Sequence, residues 1–450
     1  MRWVFALAAL VLLQAAAPVY IPYEEVDLPV EAGSHLEISS AKDWASWVSV
    51  RDAEIRGRLA QGDEDSLVYL WLYGTSFTKQ PRATTEYLAR LDDSAKAESL
   101  LIDRLEDFVT ALASPRAARN ERLQFARAHL ASKGIDVGRE AGRVKALEYL
   151  VKARERVVAE NAEFRRTTDA ARRSATAESA QAAYATLFRD RGLSTDTRLT
   201  ASYAIDRALA AVAREKVLAF DSVRRAAIVG PGLDFIDKAE GYDFYPVQTI
   251  QPFALIDSLN RYQLRVTGMR LTAYDVSARV LSHLSNAVKR AAIPDGYRLQ
   301  LPRPSERVQA WTPEFAAYWK SFGDLIGKDI VPAPLPPGMA GVRVRAVDVS
   351  ADLVLTIVPR DLNIILQREP LAPSDRYDLI VATNVLVYYD AFEQSLALAN
   401  IASMLRPGGI FLTNYEIAPS ARMEALPQLT TRVFFDTQGN GDSVFVYRRR

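Results

Sequence analysis

The chain has 450 residues, 49% of them hydrophobic and 25% charged, with a net charge of +1. That length suggests two or three domains at ~150 residues each, and so even a charge balance gives no electrostatic case for a nucleic-acid partner. Cysteine is absent and the three histidines, His35, His129 and His283, lie far apart, which excludes disulfides, thiolate nucleophiles and cysteine-bound zinc and argues against a histidine metal site or a Ser-His-Asp triad.

The N-terminus reads MRWVFALAALVLLQAAAPVY. Arg2 gives a positive start, Val4 to Leu13 an apolar core, and Ala15-Ala16-Ala17 a small-residue cleavage site. This is the three-part pattern of a secretory signal peptide over residues 1–17, and it predicts export to the periplasm or cell envelope. The apolar run is shorter than the ~20 residues of a spanning helix. An uncleaved signal anchoring the chain to the membrane is the alternative. No spanning helix is expected in the mature chain.

Residues 18–40 hold three prolines and read as an extended lead-in. Residues 41–220 read as a helical domain. SLLIDRLEDFVTALA places Leu100, Leu101, Leu105, Phe108, Val109 and Leu112 on one helical face. GRVKALEYLVKARERVVAENAEFRR does the same with Val144, Leu147, Leu150, Val151, Val157 and Val158. TASYAIDRALAAVAREKVLAF is a third such helix, and it belongs either to this domain or, with a boundary near Asp196, to the next one. No fixed-period repeat is present, and the helical half carries no chemical signature.

The pattern changes near Arg224. Strand-like runs AAIVG, MRLTAYDV, VRVRAVDV, YDLIVATNV and GGIFLTNYE alternate with helical stretches, and TRVFFDT and SVFVYRR close the chain around a glycine-rich turn. Repeated β-α units predict an α/β fold over residues 221–450: a mainly parallel, Rossmann-like sheet with an antiparallel hairpin at one edge. PAPLPPGMAG, at Pro332 to Gly341, reads as a surface loop.

Ligands of open α/β sheets bind at the carboxyl ends of the strands, so the informative residues are those just after each predicted strand. These are Gly230-Pro231-Gly232, then Asp275 and Val276, then Asp348, then Thr383-Asn384. Each has a plain alternative. The glycines serve any tight turn, and Asp275 or Asn384 serves as a helix cap.

Taken in order, they resemble class I S-adenosylmethionine-dependent methyltransferases. Tyr377 to Asn414, YDLIVATNVLVYYDAFEQSLALANIASMLRPGGIFLTN, is similar to the fourth strand, helix, LRPGG turn and fifth strand of that family. Within it, NVLVYYD is similar to chemotaxis-receptor methyltransferases. The resemblance implies S-adenosylmethionine as cofactor and methyl transfer to an acceptor it does not name. It puts Gly230 and Gly232 at the methionine part of the cofactor, with Asp234 at the third glycine position. It puts Asp275 on the ribose hydroxyls, Val276 against the adenine, Asp348 near the adenine amine and Asn384 beside the sulfonium and acceptor. Ile228 stands where the family carries an acid, and Thr383 where the chemotaxis enzymes carry arginine. The long segment after Gly232, with Asp234, Tyr242, Phe244, Tyr245 and Gln248, is expected over the crevice or packed on itself. The rival reading is a binding or scaffold protein of the cell envelope with a catalytically degenerate methyltransferase fold. The terminal hairpin and LRPGG turn argue against a nicotinamide dehydrogenase.

Overall fold

A computed structural model describes residues 17–26, 38–91, 93–173, 191–238, 240–293, 296–337, 339, 341–418 and 420–450. Apart from Ala17, the signal-peptide stretch lies outside them. The lead-in contributes a two-residue strand, Val19–Tyr20, paired with Gln367–Arg368, and one 3-10 turn, Tyr23–Glu25.

Four long helices follow. The first, α1 (Ala41–Tyr73), begins where the Ser40 hydroxyl accepts the Asp43 N–H, one of the amides a helix start leaves unpaired. Then come α2 (Ser94–Ala113), α3 (Glu121–Ser132) and α4 (Glu140–Arg173). Helix α2 buries Leu100, Leu105, Phe108, Val109 and Leu112, as its spacing dictates. Helix α4 departs from the expected face. Ala146, Leu150, Ala153 and Val157 are buried, whereas Val144, Val151 and Val158 are exposed. The buried set keeps the i, i+4, i+7 spacing of one stripe. The small alanines that complete it carry a weaker sequence signal than the valines beside it.

The sheet starts after α5 (Leu199–Arg214). Its strands are β1 (Val223–Val229) and β2 (Arg265–Asp275), joined by α6 (Gln251–Arg261), with α7 (Ala278–Ala291) leaving β2. An insertion follows: β3 (Tyr297–Arg303), α8 (Pro313–Ser321), β4 (Gly327–Ile330) and β5 (Arg343–Val349), whose strands form a separate antiparallel sheet in the order β3-β5-β4. The chain returns with β6 (Ile357–Asp361), β7 (Tyr377–Ala382), α9 (Ala391–Met404), β8 (Leu405–Thr413), β9 (Met423–Ala425), β10 (Thr431–Phe434) and β11 (Gly441–Arg449). The main sheet runs β6-β2-β1-β7-β8-β11-β9, with β10 also paired to β11. Strands β6 to β8 are parallel, and β11 is antiparallel to its neighbours. The fold is therefore the expected Rossmann-like α/β sheet with a terminal antiparallel hairpin, preceded by helices.

One strand lies elsewhere than its sequence pattern implies. Arg343–Val349, expected as the third strand of the main sheet, lies in the inserted sheet, and Ile357–Asp361 takes that place. Pro359 hid the true strand, since proline cannot donate to a ladder. It is tolerated because β6 is an edge strand.

Alternate residues of each strand feed two cores. Ala226, Ile228, Leu271, Ala273, Leu379 and Val381 join one, which continues through α5, α6 and α7 into Trp71, Phe108 and Leu112 of the helical half. Ala227, Val229, Tyr274, Ile380 and Ala382 join the other, with α9 and with Trp44, Val48 and Ile55 of α1. Helix α1 thus contributes to both faces. Among the described residues, no helix is long and apolar enough to cross a membrane.

Candidate ligand cleft

The chain runs outward from β1 to β2 and β6, then returns to β7 on the other side of β1. That reversal opens a crevice at the carboxyl ends of the strands. An inner chamber of about 90 Å³ lies there, and an outer one of about 550 Å³ adjoins it. Both are bordered by Ser194, Asp196, Thr197 and Asn384.

The glycine turn forms the inner floor. Gly230 (φ +67°) donates its N–H to the Tyr274 carbonyl at 2.8 Å, and Gly232 has φ +60°. Both conformations favour glycine. A Cβ on Gly230 would come within 2.6 Å of Val385 Cγ2, and one on Gly232 within 2.6 Å of the Thr195 carbonyl oxygen. The glycines therefore admit close approach by the protein's own chain. Residues 193–197 cross the turn, with the Leu233 N–H donating to Thr195 O and the Thr197 N–H to Leu233 O.

Asp275 ends β2 and is 6% exposed. Its carboxylate accepts the Ser277 N–H at 2.8 Å, and the Gly232 and Val276 amides also turn toward it. Burial raises its pKa to about 7, against which these amides pull only partway. Ser277, not Asp275, caps α7. Val276, Leu59, Leu193, Leu362 and Ile364 give the chamber apolar walls. Gln251, at the first turn of α6, donates its amide to Thr197 Oγ1 at 2.9 Å and faces Thr383 Oγ1 at 3.4 Å, while its buried Oε1 has no hydrogen-bond partner.

Asn384 follows β7 with φ +57°, an uncommon conformation outside glycine. Asn414, after β8, holds it there: Asn414 Oδ1 accepts the Asn384 N–H at 2.8 Å, and its Nδ2 donates to Asn384 Oδ1 at 2.7 Å. Asp390 and Glu393 form a reciprocal cap that starts α9, so Asn384 is not that helix's cap.

Gly230, Gly232, Asp275, Val276 and Asn384 border the cleft together. Asp234 and Asp348 do not. The Asp234 carboxylate is buried, accepts from Tyr245 Oη at 3.0 Å and Gln248 Nε2 at 2.7 Å, and faces a separate cavity. Burial lifts its pKa to about 6. It braces the long segment, whose backbone carbonyls at Phe235 and Tyr245 are gathered by Arg122. Tyr242, Phe244 and Tyr245 pack edge-to-face on one another. The segment also packs on the helical half, through Phe235 against Phe125 and through the Asp243 carboxylate on the Thr75 and Ser76 amides, and among its described residues Ile236 to Lys238 reach the outer chamber. Asp348 sits in the inserted sheet opposite Arg298 and Lys328, with Oδ1 against Gly296, where a Cβ would stand 2.4 Å away. It lies away from the cleft because β5 belongs to the inserted sheet.

Leu59, which lines the cleft, and Arg279, which braces it, carry no local signal in the sequence. Leu59 comes from α1, which is fastened to the sheet by Arg56 to Asp361 (2.8 Å), by Asn363 Nδ2 to Asp52 (2.7 Å) and by Arg51 to Glu393 (2.6 Å). Arg279, in the first turn of α7, reaches Asp63 of α1 at 2.9 Å and Thr195 Oγ1 at 2.6 Å, with its guanidinium 4.2 Å from the Phe125 ring and 4.7 Å from Phe235.

No family model matches the chain, and no curated relative does. Among solved structures, it is similar to the N-methyltransferase NodS from Bradyrhizobium japonicum WM9 (12% identity over 54% of this chain and 94% of that one, TM-score 0.27). It is also similar to the magnesium protoporphyrin IX methyltransferase ChlM from Synechocystis PCC 6803 with bound SAH (10% identity, 56% and 84%, TM-score 0.26), and to the mitomycin 7-O-methyltransferase MmcR (10% identity, 92% and 100%, TM-score 0.29). Likenesses this distant carry no argument about the chemistry of this chain. Its fold assignment stands on its own strand order and register.

Proposed function

We propose that the cleft binds S-adenosylmethionine and that the chain transfers its methyl group to an acceptor in the outer chamber. The observation that carries this reading is the polar complement of the cleft. It includes two acceptors, the Asp275 carboxylate with lone-pair capacity beyond the Ser277 N–H and the unpartnered Gln251 Oε1. A ribose diol offers hydroxyl donors to match them. Asp275 would hold a ribose hydroxyl, and Val276, Leu362 and Ile364 would flank the adenine. Gly230 and Gly232 would lie at the methionine part, with Asn384 on the side of the acceptor. S-adenosylmethionine supplies a methyl on a sulfonium, an already activated leaving group. The chain's task is then mainly positioning, which lowers a barrier without a dedicated base. The Asn384–Asn414 pair fixes the wall where the acceptor would sit.

The chemotaxis-receptor type is not part of this reading, because Thr383 stands where that group carries arginine. A second reading keeps the fold but not the reaction: a binding or scaffold protein of the cell envelope. It is favoured by the space over both glycines, which Val385 and Thr195 fill.

Titration calorimetry of the 18–450 chain with S-adenosylhomocysteine tests the donor cleft on which the first reading depends. A carboxylate has about four lone-pair directions, and this one accepts the Ser277 N–H, which leaves room for a ribose hydroxyl, a charge-assisted bond worth roughly 1.5–3 kcal/mol. Asp275→Ala should therefore weaken binding about tenfold or more. Failure of the wild type to bind at millimolar ligand would favour the scaffold. We also propose export on the strength of residues 1–17. N-terminal sequencing should find the mature chain starting after about Ala17; Met1 on cytoplasmic protein would refute it.

A further inference from the structure

The wall shared by the two chambers carries an ion pair that folding leaves incomplete. Asp196 lies just before α5 and borders both chambers. Its side chain is 6% exposed. Oδ2 accepts from Ser66 Oγ at 2.8 Å and lies 3.7 Å from Lys238 Nζ. Oδ1 has no hydrogen-bond partner. A buried carboxylate oxygen without a donor has given up its hydration with nothing in return. Lys238, from the long segment, borders the outer chamber with its side chain 35% exposed. One of its N–H groups goes to Ser194 Oγ at 2.8 Å and a second faces Asp196; an ammonium carries three.

Opposite charges side by side on a wall are best matched by a ligand that presents the same two charges reversed. A simple amine would meet Lys238 as a like charge, and a simple carboxylate would meet Asp196 the same way. An α-amino-acid group satisfies both. We propose that Asp196 and Lys238 form a clamp for an α-amino-acid zwitterion, its ammonium on Asp196 and its carboxylate on Lys238. Such a group has two sources. It is the amino-acid end of the methyl donor, in which case the inference rests on the reading above, or it belongs to an amino-acid acceptor in the outer chamber.

Calorimetry on the full 18–450 chain distinguishes them, using S-adenosylhomocysteine, 5′-methylthioadenosine (which lacks the amino-acid part) and glycine. If the clamp holds the donor, the wild type binds S-adenosylhomocysteine at least tenfold more tightly than methylthioadenosine. Asp196→Asn and Lys238→Met then each shrink that ratio to about threefold or less while leaving methylthioadenosine binding unchanged, which also shows that the variants are folded. If the clamp holds the acceptor, the two nucleosides tie, and glycine binds saturably to the methylthioadenosine-loaded chain but not to the Asp196→Asn variant. Tied nucleosides with no glycine binding overturn the clamp and leave the donor cleft standing. If neither nucleoside binds at millimolar concentration, the methyl-donor reading falls, and glycine binding to the unliganded chain, abolished in both variants or absent altogether, decides the clamp alone.

Discussion

Asp275 shows how much a single position discloses in sequence and how much it withholds. Its place after a strand and before a capped helix was readable, because strand ends and caps are local patterns. Its titration was not, since it depends on burial by remote residues such as Leu59 and Leu362. The unfolded carboxyl titrates at 3.8 and the folded one at about 7. Between those values the folded chain holds the extra proton, so stability falls as pH rises from about 4 to about 7 and stays low above that. Asp275→Asn should flatten this part of the profile, measured as urea midpoints from pH 4 to 8; an unchanged slope would show that burial does not tune this group. Ligand hydroxyls favour the ionised form. Binding of S-adenosylhomocysteine at pH 7 should therefore release roughly half a proton, seen as a dependence of binding heat on buffer ionisation enthalpy and lost in Asp275→Asn. Gly232 teaches the converse. The sequence suggested a glycine left bare for a ligand, but the place its Cβ would take lies against the Thr195 carbonyl of the protein's own chain, while the glycine still borders the cleft. Gly232→Ala should lower stability by about 1–2 kcal/mol from its left-handed conformation alone, and more from the clash. An unchanged midpoint would mean that residues 193–197 do not rest on the turn.

At the scale of elements, long periodic helices and the strands β1, β2, β7, β8, β10 and β11 were legible. Each announces itself by its own spacing, or by a glycine-rich turn such as Gln438 to Asp442. The edge strand β6 was not, because Pro359 breaks the local pattern and only the neighbouring β2 supplies the pairing. Residues 193–197 were missed for a similar reason: they have no regular structure, and their role comes from lying on the glycine turn. Arg279 ties this segment to α1 and to the aromatic pair Phe125 and Phe235. Arg279→Ala would strand the Asp63 charge in a pair whose side chains are only 18% and 23% exposed, which destabilises this junction. The Asp63 carboxyl is already pushed upward by burial. Hydrogen exchange should then accelerate at the Thr197 and Leu233 amides before the rest of the sheet. Exchange that stays as slow as in the wild type would remove Arg279 from this role.

For the whole molecule, the two halves read from composition meet in a way that composition does not reveal. Helix α5 packs against α6 and the strands β10 and β11, and one apolar core runs from Phe108 and Trp71 through α5 to Leu271 and Val446. Apolar surface is worth roughly 25 cal/mol per Å² when buried. A fragment beginning near Asp196 or Arg224 would expose that core and lose Leu59 from the cleft. It should therefore lack a cooperative thermal transition, while limited proteolysis of the full chain should cut first within Pro332–Gly341; an independently folded 221–450 fragment would contradict this. The cleft itself is the junction of these pieces, with α1, the 193–197 segment and the strand ends each supplying a wall. The most direct measurement is a crystal structure of the 18–450 chain grown with S-adenosylhomocysteine. A ribose hydroxyl is expected within hydrogen-bonding distance of Asp275, the adenine against Val276 and the thioether sulfur facing Asn384. A ligand bound elsewhere, or an empty cleft at millimolar S-adenosylhomocysteine, would contradict this.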